Sequence, residues 1–229
     1  MVKWGMKFVR LCPVCGSEAF TDSVICPECS KELDAECFDS FMSRCPVCFF
    51  PRVSEQYVCG RCSSGQTGRL FPVARYDGSL SFSLVDSFKF HNRKELAPVV
   101  ALYLSKALEK LDPEHEAIIV PIPCSSARIR RYGWDQMEEV CKYLDRPYFK
   151  LLKRNDDMQI QQKRLSKSQR IEAVSGKFAI AEDCDSLKEK KIIVVDDIIT
   201  TGSTMNAALS LLKDNGFGDV SGASWLAEL

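Results

Sequence analysis

From Gly68 onward, apolar positions alternate between strand-like runs and helix-like spacing. Leu70 to Tyr76 reads as a strand that ends at Asp77-Gly78. Arg93 to Leu111 carries apolar residues at helical spacing, with Pro98 in its first turns. Ala117 to Ile122 reads as a buried strand and Gln136 to Leu144 as a short helix. Lys191-Ile192-Ile193-Val194-Val195-Asp196 is a continuous apolar run, as expected of a central parallel strand buried on both faces. Thr204 to Asp214 then repeats at helical spacing and stops at Asn215-Gly216, and Val220 to Leu226 is a last strand. This alternation predicts an α/β fold, a parallel sheet flanked by helices, with ligands at the carboxyl ends of the strands.

The first 69 residues are different. Nine of the twelve cysteines lie there, and only Cys124, Cys141 and Cys184 follow. The change places a domain boundary between 1–69 and 70–229. Cys12, Cys15, Cys26 and Cys29 repeat 33 positions later as Cys45, Cys48, Cys59 and Cys62, and Cys-Pro-Val-Cys itself recurs. Each block reads Cys-x2-Cys-x10-Cys-x2-Cys, so this is an internal duplication. A Cys-x-x-Cys turn points two thiolates at one ion, and two such turns complete a tetrahedron. Ten residues suffice for a hairpin between them, so the region reads as a double zinc ribbon with structural Zn²⁺, stabilised by metal because so short a stretch buries little core. One ion per block costs less chain entropy than crossed pairing, which stays open. Cys37, between Glu36 and Phe38 and near Phe41, reads as a buried thiol.

Charge narrows the partners. The 31 basic and 31 acidic residues cancel, and each half balances separately, eight against eight through Arg69 and 23 against 23 beyond it. A uniformly positive surface is excluded, so any nucleic-acid contact must be a local patch. Arg44, Arg52, Arg61 and Arg69 with Phe49, Phe50 and Tyr57 are the candidate set in the ribbon region. No apolar run is long enough to span a bilayer, and the opening Met1 to Phe8 is too short and too charged for a signal peptide. Paired Cys-x-x-Cys spacing then favours metal in a reducing cytoplasm over a disulfide framework. His91 and His115 read as surface or capping residues.

The chemistry concentrates in Val195-Asp196-Asp197-Ile198-Ile199-Thr200-Thr201-Gly202-Ser203-Thr204. A strand runs into two acids, then a small hydroxylated loop with a glycine, then a helix. Helix-start amides and the hydroxyls of Thr200, Thr201, Ser203 and Thr204 suit a phosphate dianion, and Gly202 permits close backbone approach. Asp196 and Asp197 can accept hydrogen bonds from a vicinal diol. A sugar 5-phosphate with free hydroxyls fits the segment on these grounds alone. No lysine stands in the loop, which excludes a Walker-type site.

The segment resembles the motif with which type I phosphoribosyltransferases bind phosphoribosyl pyrophosphate (PRPP). Phe88-Lys89-Phe90, Val120-Pro121-Ile122-Pro123, Arg130-Arg131-Tyr132-Gly133-Trp134-Asp135-Gln136 and the stretch from Gln162 to Arg170 occur in the order seen in ComF-like proteins, which join zinc ribbons to such a domain and are linked to natural DNA transformation. The family usually has Arg-Gly-Phe-Asn-Gln where this chain has Tyr132-Gly133-Trp134-Asp135-Gln136, and Ala173 replaces a usual asparagine. The resemblance implies PRPP bound with Mg²⁺ by Asp196, Asp197 and the loop of Thr200, Thr201, Gly202, Ser203 and Thr204. It also implies a pyrophosphate loop over 121–126 with Ser125, Ser126 and Arg128 as contacts, and a basic hood from about Lys153 to Lys177 containing Gln162, Arg164 and Arg170. Lys89, placed on a loop near the site, is a further candidate. Three roles follow for such a protein: a PRPP-binding accessory factor acting on single-stranded DNA with DNA-uptake proteins, a phosphoribosyltransferase for an unidentified nitrogenous base, or a docking adaptor regulated by PRPP. No nucleophilic side chain is required in any of them, and neither the acceptor nor the oligomeric state is legible.

Overall fold

The structure is a computed structural model that describes residues 10–19, 24–40, 42–52, 59–63, 68–77, 80–155, 177–182 and 184–229. The cysteine region supplies β1 (Arg10–Leu11), β2 (Glu18–Ala19), α1 (Pro27–Ala35) and α2 (Gly60–Ser63). The remainder contains β3 (Leu70–Arg75), α3 (Leu80–Phe90), α4 (Ala97–Leu111), β4 (Ile118–Pro121), α5 (Ser126–Tyr132) and α6 (Gln136–Cys141). It continues through β5 (Leu152–Arg154), β6 (Phe178–Ile180), β7 (Ile192–Ile199), α7 (Ser203–Asp214) and β8 (Val220–Ala227).

Four strands form a wholly parallel sheet in the order β3-β8-β7-β4. Side chains alternate between its faces, as strand geometry requires. Ile119, Ile193, Val195, Ala223 and Trp225 point into one core with α4, whereas Val120, Ile192, Val194 and Leu70 point into the other with α7. Helices therefore cover both faces, and β7 is apolar on both sides because it is central. Gly222 lets α7 approach β8: a Cβ there would stand 2.8 Å from Met205 Sδ and 2.9 Å from Leu70 Cδ1. A separate antiparallel pair, β5 with β6, stands beside the sheet.

Several boundaries differ from the sequence reading. The expected helix from Arg93 is a 3₁₀ turn over Lys94–Leu96 followed by α4, because Pro98 occupies a first-turn position where its missing amide costs nothing. Lys89 is not on a loop: it lies in the last turn of α3, a helix that the short segment after Gly78 did not announce. Arg128 likewise sits on a helix, α5, which Ser125 caps and Gly133 ends at φ 82°.

The cysteine region packs onto this frame. The Glu36 carboxylate accepts from the Leu80 and Ser81 amides, 2.9 Å each, and so caps α3 from across the chain. Tyr103 Oη donates to Asp34 Oδ1 at 3.1 Å, and Lys106 pairs with the same carboxylate. Cys37 makes an antiparallel bridge with Ala74 on the edge strand β3. Its thiol is buried, bonds the Leu33 carbonyl, and is pushed up to about 11 by burial, so it is the inert packing thiol expected. His91 faces Asp86 and His115 faces Glu109 at the surface.

Candidate functional site

The two cysteine sets assemble block by block. Within each of Cys12, Cys15, Cys26, Cys29 and Cys45, Cys48, Cys59, Cys62, all sulfurs lie within 4.8 Å of one another. Separations include 3.6 Å for Cys15–Cys26, 3.9 Å for Cys45–Cys62 and 3.3 Å for Cys48–Cys59. A tetrahedral ion with ~2.3 Å bonds separates its sulfurs by about 3.8 Å, so four thiolates fit one Zn²⁺ and leave no open position. The duplication is visible in the backbone. In each block the first pair lies in a tight turn, closed by β1 with β2 or by the Arg44–Pro51 bridge, and the second pair lies at the start of a helix. No disulfide links any of the twelve cysteines.

The acid pair lies at the carboxyl end of β7. The strand does not stop at Asp196, as its sequence suggested, but continues through Asp197 to Ile199, with Asp196 paired to Ser224 and Ile198 to Leu226 of β8. Asp197 is buried, and its Oδ1 accepts from Lys89 Nζ at 2.7 Å and from the Ile198 amide at 2.7 Å. Asp196 Oδ1 accepts from the Asp197 amide at 2.9 Å. Burial, and after it the Asp197 carboxylate, pushes Asp196 up to about 8. For Lys89, burial works against the charge, but Asp197 and then Asp196 outweigh it and hold the pKa above its ordinary value. The acids therefore differ: Asp197 is joined to an internal cation, and Asp196 is the partly open one.

Thr200, Thr201 and Gly202 turn the chain into α7. Gly202 takes φ 73°, a left-handed conformation that favours glycine, and caps the helix without a side-chain bond. At the start of this 12-residue helix the Ser203 amide donates to Thr201 Oγ1 at 3.4 Å. Thr201 Oγ1 donates to Ser203 Oγ at 3.1 Å. Residues 200–204, with Asp196, line a recess of about 30 Å³. It lies beside a cavity of about 400 Å³ lined by Asp196, Asp197, Thr200, Thr204, Lys89, Ser125 and Arg128.

Ser125 caps α5 by accepting from the Arg128 amide at 3.3 Å, and Ser126 lines neither cavity. Gln162, Arg164 and Arg170 lie outside the described residues, as does Tyr57. Arg44 is not available to a nucleic acid: it lies 3.6 Å over the Phe71 ring and pairs with Asp39. Arg61 reaches Asn206 in the first turn of α7 at 3.4 Å.

Sequence reasoning gave no site role to Gln136, Cys124, Phe90 and Tyr76 on the cavity wall, and placed Arg154 there only as part of the basic hood. Arg154 sits on β5 opposite Phe178 of β6, near Lys177, and only its position at the edge of the basic stretch hinted at a role. Asp135, where ComF-like sequences usually have asparagine, uses both carboxylate oxygens. It caps α6 by accepting from Met137 and Glu138 amides, and its other oxygen accepts from the Cys124 amide at 2.9 Å. Trp134 Nε1 donates to Asn92 Oδ1 at 2.7 Å, and Tyr132 Oη donates to the Phe90 carbonyl at 3.0 Å. The segment from Tyr132 to Gln136 is thereby fastened to the end of α3, which carries Lys89.

Residues 89–220 match the phosphoribosyl transferase domain family. Among curated proteins, the chain is 28% identical over 130 residues to competence protein ComFC of Bacillus subtilis, covering 56% of this chain and 52% of that one. It is 26% identical over 156 residues to competence protein F of Haemophilus influenzae, covering 65% and 68%, and 29% identical over 133 residues to competence protein ComFC of Streptococcus pneumoniae, covering 58% and 57%. The chain thus spans about half the length of two of these relatives and two thirds of the other. The solved structure of the allosteric regulatory enzyme of purine biosynthesis aligns at a TM-score of 0.37 with 19% identity, over 55% of this chain and 25% of its own, too slight a likeness to carry an argument.

Proposed function

The chain belongs to the phosphoribosyl transferase domain family, in its ComF branch, and from this premise we propose that it is a PRPP-binding protein acting on single-stranded DNA during natural DNA uptake. One observation carries the ligand part. An acid pair and a hydroxylated helix start share the end of the central strand and border one cavity with Lys89, Arg128 and Arg154. The 200–204 loop takes the 5-phosphate, since amides and hydroxyls converge there. Asp196 accepts from the ribose hydroxyls, with Asp197 holding Lys89 in place behind it. Asp196 is the carboxylate that would hold Mg²⁺ with the ligand, and the ion would supply positive charge against the pyrophosphate. Lys89, Arg128 and Arg154 line the same cavity.

Each four-cysteine block holds one structural Zn²⁺, and residues 1–69 form a ribbon domain seated on the 70–229 domain. The names of the relatives support the process, and no helix among the described residues is long and apolar enough to cross a membrane. We place the protein in the cytoplasm, handling incoming strand. The test is transformation frequency in a naturally competent host whose own copy is replaced by this chain. Restored transformation, lost again with Asp196→Asn, supports the proposal; equal transformation by both proteins removes the ligand from it.

A second reading is favoured by the cationic wall. Positive groups set where pyrophosphate departs suit transfer of phosphoribose to a nitrogen nucleophile, in which the C1–O bond to pyrophosphate breaks as the C1–N bond forms. Pyrophosphate release measured with a panel of free bases tests it, and no release above the base-free rate excludes it for those bases.

A further inference from the structure

Gln136 is 0% exposed, and its amide is saturated with bonds to three different walls of the cavity. Nε2 donates to the Lys89 carbonyl at 2.9 Å and to the Phe88 carbonyl at 3.3 Å, both in the last turn of α3. Oε1 accepts from Arg128 Nη1 on α5 at 3.2 Å and from Cys124 Sγ in the loop after β4 at 3.7 Å. A buried amide is costly unless every donor and acceptor is met, and an apolar side chain of the same volume would fill the space with less risk. What the amide adds is position. Lys89 and Arg128 come from elements that are distant in sequence, and one side chain fixes both.

Arg128 makes the arrangement informative. Among the described residues, no carboxylate lies within 4.0 Å of its guanidinium. It stands 5.1 Å from the centre of the Phe90 ring, and a neutral acceptor, Gln136 Oε1, holds it. A neutral acceptor aims a cation without cancelling it. A glutamate at the same place would neutralise the guanidinium and turn an acceptor toward two carbonyls. Lys89, by contrast, already has Asp197 as counter-charge at 2.7 Å. The positive charge at the cavity without a carboxylate partner among the described residues is thus that of Arg128.

We propose that Gln136 is the positioning residue of the anion half of this site, holding Arg128 uncompensated and Lys89 in register so that the pyrophosphate end of the ligand meets two aligned cations. This rests on the PRPP reading above and deepens it. Gln136 touches no ligand in this account. The sugar-phosphate half is built from β7 and α7, with which its amide makes none of the bonds above, so the two halves separate experimentally.

The experiment titrates pyrophosphate and ribose 5-phosphate separately, each with Mg²⁺, into the full chain and into Gln136→Met and Gln136→Glu. Met removes the bonds, and Glu keeps the volume while cancelling Arg128. Pyrophosphate affinity should fall about tenfold in both variants, the scale of one charge-assisted contact, while ribose 5-phosphate affinity changes less than about twofold. In a double-mutant cycle, Gln136→Met and Arg128→Ala should be less than multiplicative for pyrophosphate. Equal losses for both ligands would mean general loosening and overturn the proposal, as would unchanged pyrophosphate affinity. Wild-type protein that binds neither ligand overturns the PRPP reading itself, and the positioning role with it.

Discussion

Asp197→Asn separates the two acids, which their adjacency in sequence makes look equivalent. Lys89 Nζ sits 2.7 Å from Asp197 Oδ1, with the two side chains 17% and 3% exposed. Asparagine keeps the shape and the acceptor for the Ile198 amide but removes the charge. Losing one partner of a fully buried pair costs roughly 3–5 kcal/mol. This pair borders an open cavity, and Asp196 remains nearby, so about 2–3 kcal/mol is the expected loss. At ~2–4 °C per kcal/mol for a chain of this size, the melting temperature should drop by about 4–12 °C. Lys89→Met added to Asp197→Asn removes the stranded ammonium, so the double variant should melt above Asp197→Asn alone. Thermal unfolding of zinc-loaded wild type and variants, followed by circular dichroism, reads both effects. A drop under about 1 °C for the single variant, or strictly additive losses, would refute the buried-pair argument.

Three further outcomes follow from the same structure. Asp196 is raised to about 8 in the fold from an ordinary 3.8, so the stability it contributes is complete below pH ~4 and is lost as pH rises through about 8. Asp196→Asn should therefore flatten the stability–pH curve over that window and be the more stable protein near pH 8, as urea unfolding at several pH values would show. Gly222→Val should cost about 1–3 kcal/mol in urea unfolding, because the added methyls must displace Met205 and Leu70 between β8 and α7. Cys26→Ser should lower bound zinc from two equivalents to one by elemental analysis, whereas Cys37→Ser should leave both.

Much of this was legible along the chain, and the remainder was not for identifiable reasons. β7 and β8 were readable because a central parallel strand must be apolar on both faces, and the cysteine sets because metal geometry imposes a fixed spacing. The 200–204 loop announced itself by composition. Helices α3 and α5 escaped: α3 has its amino terminus capped by Glu36, 44 residues away from Leu80, and α5 buries none of its seven residues and so shows no periodic apolar face. The same cause hid the cavity's far wall. Gln136 looks in sequence like any polar residue opening a helix, and Arg154 like one charge among eight basic residues between Lys150 and Lys177. Their roles exist only after β4, α5 and the end of α3 have come together.

The central claim is that the acid pair and the hydroxylated loop form a PRPP site, and calorimetric titration of the zinc-loaded protein with PRPP and Mg²⁺ tests it most directly. Saturable micromolar binding by wild type, lost in folded Asp196→Asn protein with its zinc still bound, is the predicted result. Folded, zinc-loaded wild type that takes up no PRPP, or Asp196→Asn protein that binds it equally well, would contradict the account.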